Sequence, residues 1–120
     1  MYFLDTYTIY QIAKGVESYS IFQKNIQIIT SILNLYELYY SLHKENEKEL
    51  AEEFFERLLP TCIDITEEDI KSAAKFRLRN IKKKISYIDA LGYILALRNN
   101  CLFLTGDEAF RGVENVKFVK

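Results

Sequence analysis

The sequence predicts an α/β fold, a parallel sheet with helices on both faces. Two observations carry this. Short apolar runs recur at residues 2–4, 26–29, 62–65, 101–104 and 116–119, and longer segments of helical pattern lie between most of them. Strands that read as continuous apolar runs are buried on both faces, and strands separated by helices join as parallel crossovers. The length of 120 residues suits one domain, spanning 1–120.

The elements follow in order. Tyr2-Phe3-Leu4 is a short buried strand, ended by Asp5-Thr6. Residues 8–14 form a helical turn or two, stopped at Gly15, and residues 17–24 continue as a second short helix. Residues 26–29 are apolar and β-branched, so strand again. Residues 31–44 make a strong helix, apolar nearly all round: Ile32, Leu33, Tyr36 and Tyr40 on some faces, Leu35, Leu38, Tyr39 and Leu42 on the others. Such a helix is buried or sits in an interface. Residues 44–59 continue as helix, with Leu50, Phe54 and Leu58 on one face, until Pro60 ends it. Residues 62–65 are a strand candidate. Thr66-Glu67-Glu68-Asp69 reads as a capping box opening a helix to about residue 80. Lys82-Lys83-Lys84 is a basic loop, and residues 86–98 form another helix. The strand at 101–104, a loop or single turn at 106–110 and the last strand at 116–119 complete the chain. Periodicity alone leaves the order of the five strands open.

Composition narrows the function classes. The chain is 49% hydrophobic and 28% charged, which excludes a disordered tail. Formal net charge is -1, so a nucleic-acid substrate would have to be held by a local patch and metal ions, not by bulk charge. Cys62 and Cys101 sit in short apolar runs and read as buried thiols of a reducing compartment. With two Cys and one His, the usual Cys/His zinc site is excluded. The chain opens without a basic leader, and the apolar stretch at 26–42 is broken by Gln27, Asn34 and Glu37. A cytoplasmic protein is expected.

In open α/β sheets, ligands bind beyond the carboxyl ends of strands. Two strands deliver an Asp there: Tyr2-Phe3-Leu4 runs into Asp5, and Leu102-Phe103-Leu104 into Thr105-Gly106-Asp107. Glu37 lies inside the most apolar helix, where an unpaired buried carboxylate costs several kcal/mol. Asp89 lies in the first turn of another apolar helix. If these four acids converge, close pairs repel by about 3–4 kcal/mol at an effective dielectric near 20, so the cluster needs protonation or a cation. An all-carboxylate site suits Mg²⁺ or Mn²⁺ and phosphate-ester chemistry. Each acid also has a plainer account. Asp5 and Asp107 fit helix N-caps, Asp89 fits a Ser86–Asp89 capping box, and Glu37 fits a solvent-facing or Lys-paired side chain. The Lys82–Lys84 run fits a solvated loop.

Four blocks together resemble the PIN domain family, and within it the VapC-type toxins. Phe3-Leu4-Asp5-Thr6 is similar to the family's opening motif. Ser31-Ile32-Leu33-Asn34-Leu35-Tyr36-Glu37-Leu38 is similar to the second, Ile88-Asp89-Ala90-Leu91 to the third, and Leu104-Thr105-Gly106-Asp107-Glu108-Ala109-Phe110 to the fourth. The chain departs from the pattern at Asn34, where Thr or Ser is usual, and at Tyr93 and Ile94, where small residues are common.

The resemblance implies a five-stranded parallel sheet in the order 3-2-1-4-5. It implies an acidic pocket for Mg²⁺ or Mn²⁺, endoribonuclease activity on RNA, a homodimer and, in the toxin branch, an antitoxin partner. Asp5, Glu37, Asp89 and Asp107 would form the catalytic and metal-binding set. Thr6 and Thr105 would hold the carboxylates by hydrogen bonds. Lys82, Lys83, Lys84 and Arg111, with Arg77 or Arg79, are candidates for contacting RNA. A housekeeping RNA-processing nuclease and a non-catalytic binding module of the same fold stay open. A phosphatase of the haloacid-dehalogenase type is excluded, since Tyr7 stands where it needs a second Asp.

Overall fold

The computed structural model describes residues 1–23 and 27–120. Its sheet has strands β1 (Tyr2–Leu4), β2 (Ile28–Ile29), β3 (Leu102–Thr105) and β4 (Val116–Phe118), all parallel, in the order β2-β1-β3-β4. The helices are α1 (Thr6–Ala13), α2 (Ile32–Lys44), α3 (Lys48–Leu58), α4 (Glu67–Arg79) and α5 (Tyr87–Arg98). Glu17–Gln23 is 3-10 helix. Lys24 of the predicted second helix and Ile26 of the predicted second strand lie outside the described residues.

Consecutive strand residues point to opposite faces, and both faces are apolar here. Phe3 and Phe103 face α4 and α5, packing with Phe110, Leu91 and Leu95. Leu4 and Leu104 face α1, α2 and α3, packing with Ile9, Leu35, Leu38 and Leu42. This confirms helices on both faces. Tyr93 enters the first of these layers, stacked on Phe76 with ring centroids 4.6 Å apart and its hydroxyl donating to Glu114 O at 2.8 Å. The large residue found where small ones are common therefore fills core.

Two expectations need correction. The predicted fifth strand at 62–65 is reduced to a single parallel bridge, Thr30 to Cys62. The reason lies on both sides of the bridge. Ser31 already serves as N-cap of α2, so the edge strand turns into helix directly after Thr30. On the other side, the Asp64 carbonyl accepts from Arg98 Nη2 at 2.8 Å and is not offered to a strand. The sheet among the described residues thus has four strands, in the expected neighbour relations without the fifth. The second correction concerns the helix at 44–59, which does not run on from 31–44. Asn46 adopts a left-handed φ of 62° and Glu47 N donates to Leu42 O at 2.8 Å, which closes α2 before α3 begins.

Candidate active site

Strands β1 and β3 end side by side, with Leu4 in register with Leu104. The next residues are Asp5 and Thr105, so the topology alone makes them neighbours. Asp5 is 1% exposed and caps α1, accepting from Thr8 N at 2.7 Å. Its other oxygen accepts from the Thr105 hydroxyl. Thr105 Oγ1 in turn accepts from Asp107 N at 3.0 Å. Asp107 caps the short turn Glu108–Phe110, accepting from Ala109 N at 3.0 Å. Both aspartates are therefore N-caps and also members of one cluster. The plain account, a helix N-cap, holds for both.

The other two acids come from helices. On α2, Glu37 Oε1 accepts from Thr6 Oγ1 at 2.6 Å, and Thr6 accepts from Asn34 Nδ2 at 3.1 Å. Asp89 stands in the first turn of α5, where its backbone N–H donates to the Ser86 cap at 3.1 Å. The Asp89 carboxylate does not return a bond to the Ser86 backbone. The contrast with Thr66–Asp69 is informative. There the box closes in both directions, and Asp69 also takes Arg98 Nε at 2.7 Å. One signature thus yields an acid paired with an arginine in α4 and one that faces other acids in α5.

Asp5, Glu37, Asp89 and Asp107 line a single open cleft of about 740 Å³. Burial, and then the charges of Asp5, Glu37 and Asp107, push Asp89 up to about 7. Burial pushes Asp5 up to about 6, against hydrogen bonds from Thr105 and Thr8 that pull the other way, and the charge of Asp107 adds to the rise. Lys120 is the one cation among the described lining residues, and it is engaged by Glu108 at 3.5 Å and by Gly106 O at 3.3 Å.

These shifts set the sign of a pH effect. A carboxyl whose folded pKa is raised holds its proton in the native state after the unfolded chain has released it, so stability falls as pH rises through that window. From the raised Asp5 and Asp89, metal-free protein should lose about 5 kcal/mol between pH 4.5 and 7.5, at about 1.4 kcal/mol per pKa unit. Asp69, held low by Thr66 and Arg98 despite its burial, works in the opposite sense, but only below about pH 4. Urea unfolding in EDTA at the two pH values measures the loss; a flat profile would contradict this electrostatic account.

By donor type alone, carboxylates are the ligands a hard divalent cation takes. All four groups are carboxylates, and Lys120 alone offsets them among the described lining residues. Among the described residues, no group of three or more His, Cys, Asp or Glu side chains is gathered closely enough to hold a metal ion as it stands.

The predicted RNA contacts are placed elsewhere. Lys82, Lys83 and Lys84 are exposed around the turn Ile81–Lys83, outside the cleft lining. Arg111 pairs with Glu108 at 2.7 Å and covers the Phe118 ring at 4.2 Å. Arg77 donates to Ile85 O at 2.9 Å and covers Tyr87, while Arg79 stays exposed on α4. Sequence reasoning missed the roles of Tyr7, Gly106 and the exposed faces of Tyr36 and Tyr40, all of which line the cleft. The helix carrying the two tyrosines is apolar all round, which signalled an interface but not its position.

A fold and a cleft of this kind define a class. The PIN domain model matches residues 2–116, and the chain belongs to the PIN domain family. Solved structures that resemble it include VapC toxins. A toxin–antitoxin complex from Klebsiella pneumoniae is 15% identical, with a TM-score of 0.78 over 98% of this chain and 96% of that one. VapBC2 from Rickettsia felis, bound to a DNA fragment from its promoter, is 25% identical, with a TM-score of 0.71 over 98% and 96%. The Mycobacterium tuberculosis toxin VapC20, described as cleaving the sarcin–ricin loop, is 15% identical, with a TM-score of 0.76 over 97% and 98%. No curated protein sequence matches the chain. No helix among the described residues is long and apolar enough to cross a membrane.

Proposed function

We propose that this PIN domain is a divalent-metal-dependent endoribonuclease and the toxin of a toxin–antitoxin pair. One observation carries the nuclease reading: four carboxylates from four separate elements line one cleft in which the one cation among the described lining residues is already engaged. Evolving a cluster of mutually repelling acids at strand ends costs stability, which a bound cation restores. Asp5, Asp89 and Asp107 would hold Mg²⁺ or Mn²⁺, with Glu37 as a further ligand or as the group that orients water. When bound, such an ion supplies charge neutralisation at the phosphate and an activated nucleophile. Thr105 holds Asp5 and the Asp107 backbone together, and Thr6 holds Glu37. The toxin reading is supported by the VapC structures it resembles. An antitoxin, a homodimeric state and a cytoplasmic location belong to the same proposal.

RNA would be gripped through aromatic faces more than through cations. Tyr36 and Tyr40 are 68% and 64% exposed, one helical turn apart beside Glu37. Base–aromatic stacking is worth about 1–3 kcal/mol per base. Tyr36→Ala and Tyr40→Ala should each raise KM for RNA roughly tenfold at nearly unchanged kcat. If both variants kept the wild-type KM, the cleft mouth would not bind bases.

The cation itself is tested apart from cleavage. Millimolar Mn²⁺ should raise the melting temperature of the wild-type chain and leave Asp5→Asn nearly unmoved. An equal rise in both would count against the assigned ligands.

A further inference from the structure

We propose that Asn34 is a positioning residue that fixes Glu37 as a hydrogen-bond acceptor toward the cleft; the inference rests on the nuclease reading above. Behind the cleft runs a chain of four side chains. Ser31 Oγ lies 2.6 Å from Asn34 Oδ1, Asn34 Nδ2 lies 3.1 Å from Thr6 Oγ1, and Thr6 Oγ1 lies 2.6 Å from Glu37 Oε1.

The direction of every bond follows from the first. Ser31 Oγ caps α2 by accepting from the Asn34 backbone N–H at 3.3 Å, so its own proton goes to Asn34 Oδ1. That turns the amide nitrogen toward Thr6. A hydroxyl has one proton, and Thr6, already accepting from the amide, donates its proton to Glu37. The spacings agree with this orientation. O–H···O bonds are shorter than N–H···O bonds, about 2.7–2.8 Å against 2.9–3.0 Å. The amide's close contact, at 2.6 Å, is with Ser31, and its longer one, at 3.1 Å, is with Thr6. Asn34 is 0% exposed, so water does not compete for either end of the amide.

The consequence falls on Glu37. Its Oε1 accepts from the Thr6 hydroxyl, which fixes the plane of the carboxylate. Among the described residues Oε2 has no protein partner, and Glu37 lines the cleft. Glu37 is thereby held in one orientation at the cleft, as an acceptor for a water or a cation. The relay begins at a helix cap, so its origin is a rigid element of the fold.

The test is a double-mutant cycle on the full chain with Asn34→Ala, Thr6→Val and the double variant. It is read by kcat and KM on RNA and, independently, by Mn²⁺ affinity from electron paramagnetic resonance. Each single variant should lower kcat about tenfold, the size of one charge-assisted hydrogen bond, with KM little changed. Each should also weaken Mn²⁺ binding, and the double variant should be no worse than the worse single one. Losses that multiply overturn the proposal. So does an Asn34→Ala protein that melts lower yet keeps wild-type kcat and Mn²⁺ affinity. If Asn34→Ala does not fold, Ser31→Gly replaces it, because glycine is tolerated at an N-cap. It should lower kcat in the wild-type background and have no effect beside Thr6→Val; an equal effect in both backgrounds overturns the relay. Wild-type protein that binds Mn²⁺ but cleaves no RNA removes the nuclease reading alone, and the affinity cycle still decides. Wild-type protein that does neither overturns both.

Discussion

Asp89→Asn should lower RNA cleavage at least about a hundredfold while leaving the fold intact. Asparagine keeps the size and shape of the side chain. The cap of α5 is kept, since Ser86 Oγ accepts the backbone N–H of residue 89. What disappears is one negative charge from a cluster in which Asp5, Glu37 and Asp107 all push on Asp89. The variant should therefore be more stable than wild type in EDTA at pH 7.5 and lose that advantage at pH 4.5, where Asp89 is already neutral. An acid in a first helical turn gains about 0.3–1 kcal/mol from the helix dipole, less than the repulsion removed. Cleavage assays and urea unfolding at the two pH values check the two halves. A variant with wild-type cleavage would remove Asp89 from the site, and one less stable than wild type at pH 7.5 would refute the electrostatic account.

Gly106→Ala should destabilise the protein by about 3 kcal/mol and disable the site with it. A Cβ on residue 106 would meet the Tyr7 ring, and it would lie 2.6 Å from Val119 O and 2.7 Å from Tyr19 Oη. The Val119 contact is with backbone and has little room to yield. Val119 N donates to Thr105 O at 2.9 Å, and Val119 O accepts from the Tyr19 hydroxyl. The chain at 105–107 must shift instead, and it carries both Thr105 and Asp107. Gly112→Ala is the matched comparison. Its φ of +80° strains an L residue, but nothing lies within 4 Å. It should cost about 1 kcal/mol and leave cleavage unchanged. Denaturant midpoints and initial cleavage rates separate the two; a Gly106→Ala protein as stable and active as Gly112→Ala would show that the close approach is not there.

Asp5 and Asp107 were legible in the sequence because a short apolar run leads up to each, and parallel topology sends such runs to one edge. Glu37 was legible because an acid in so apolar a helix needs a reason. Asp89 was not separable by spacing from Asp69, since both stand three residues after a hydroxyl cap. The difference lies in tertiary partners: Asp69 finds Arg98, and Asp89 faces other acids. The reduction of the fifth strand to one bridge was not legible, because it depends on Arg98 reaching the Asp64 carbonyl across the fold. The break between α2 and α3 had one sequence signal, Asn46, a residue that tolerates the left-handed region. The relay through Asn34 joins residues 28 and 31 positions apart, and no local pattern reports it.

Cleavage of a mixed RNA pool by the purified, partner-free chain tests the central claim most directly. The reactions contain Mg²⁺ or Mn²⁺, and EDTA and Asp5→Asn serve as controls. The account predicts cleavage that needs both the cation and the Asp5 carboxylate. Cleavage that persists in EDTA, or in Asp5→Asn with the metal present, would contradict it.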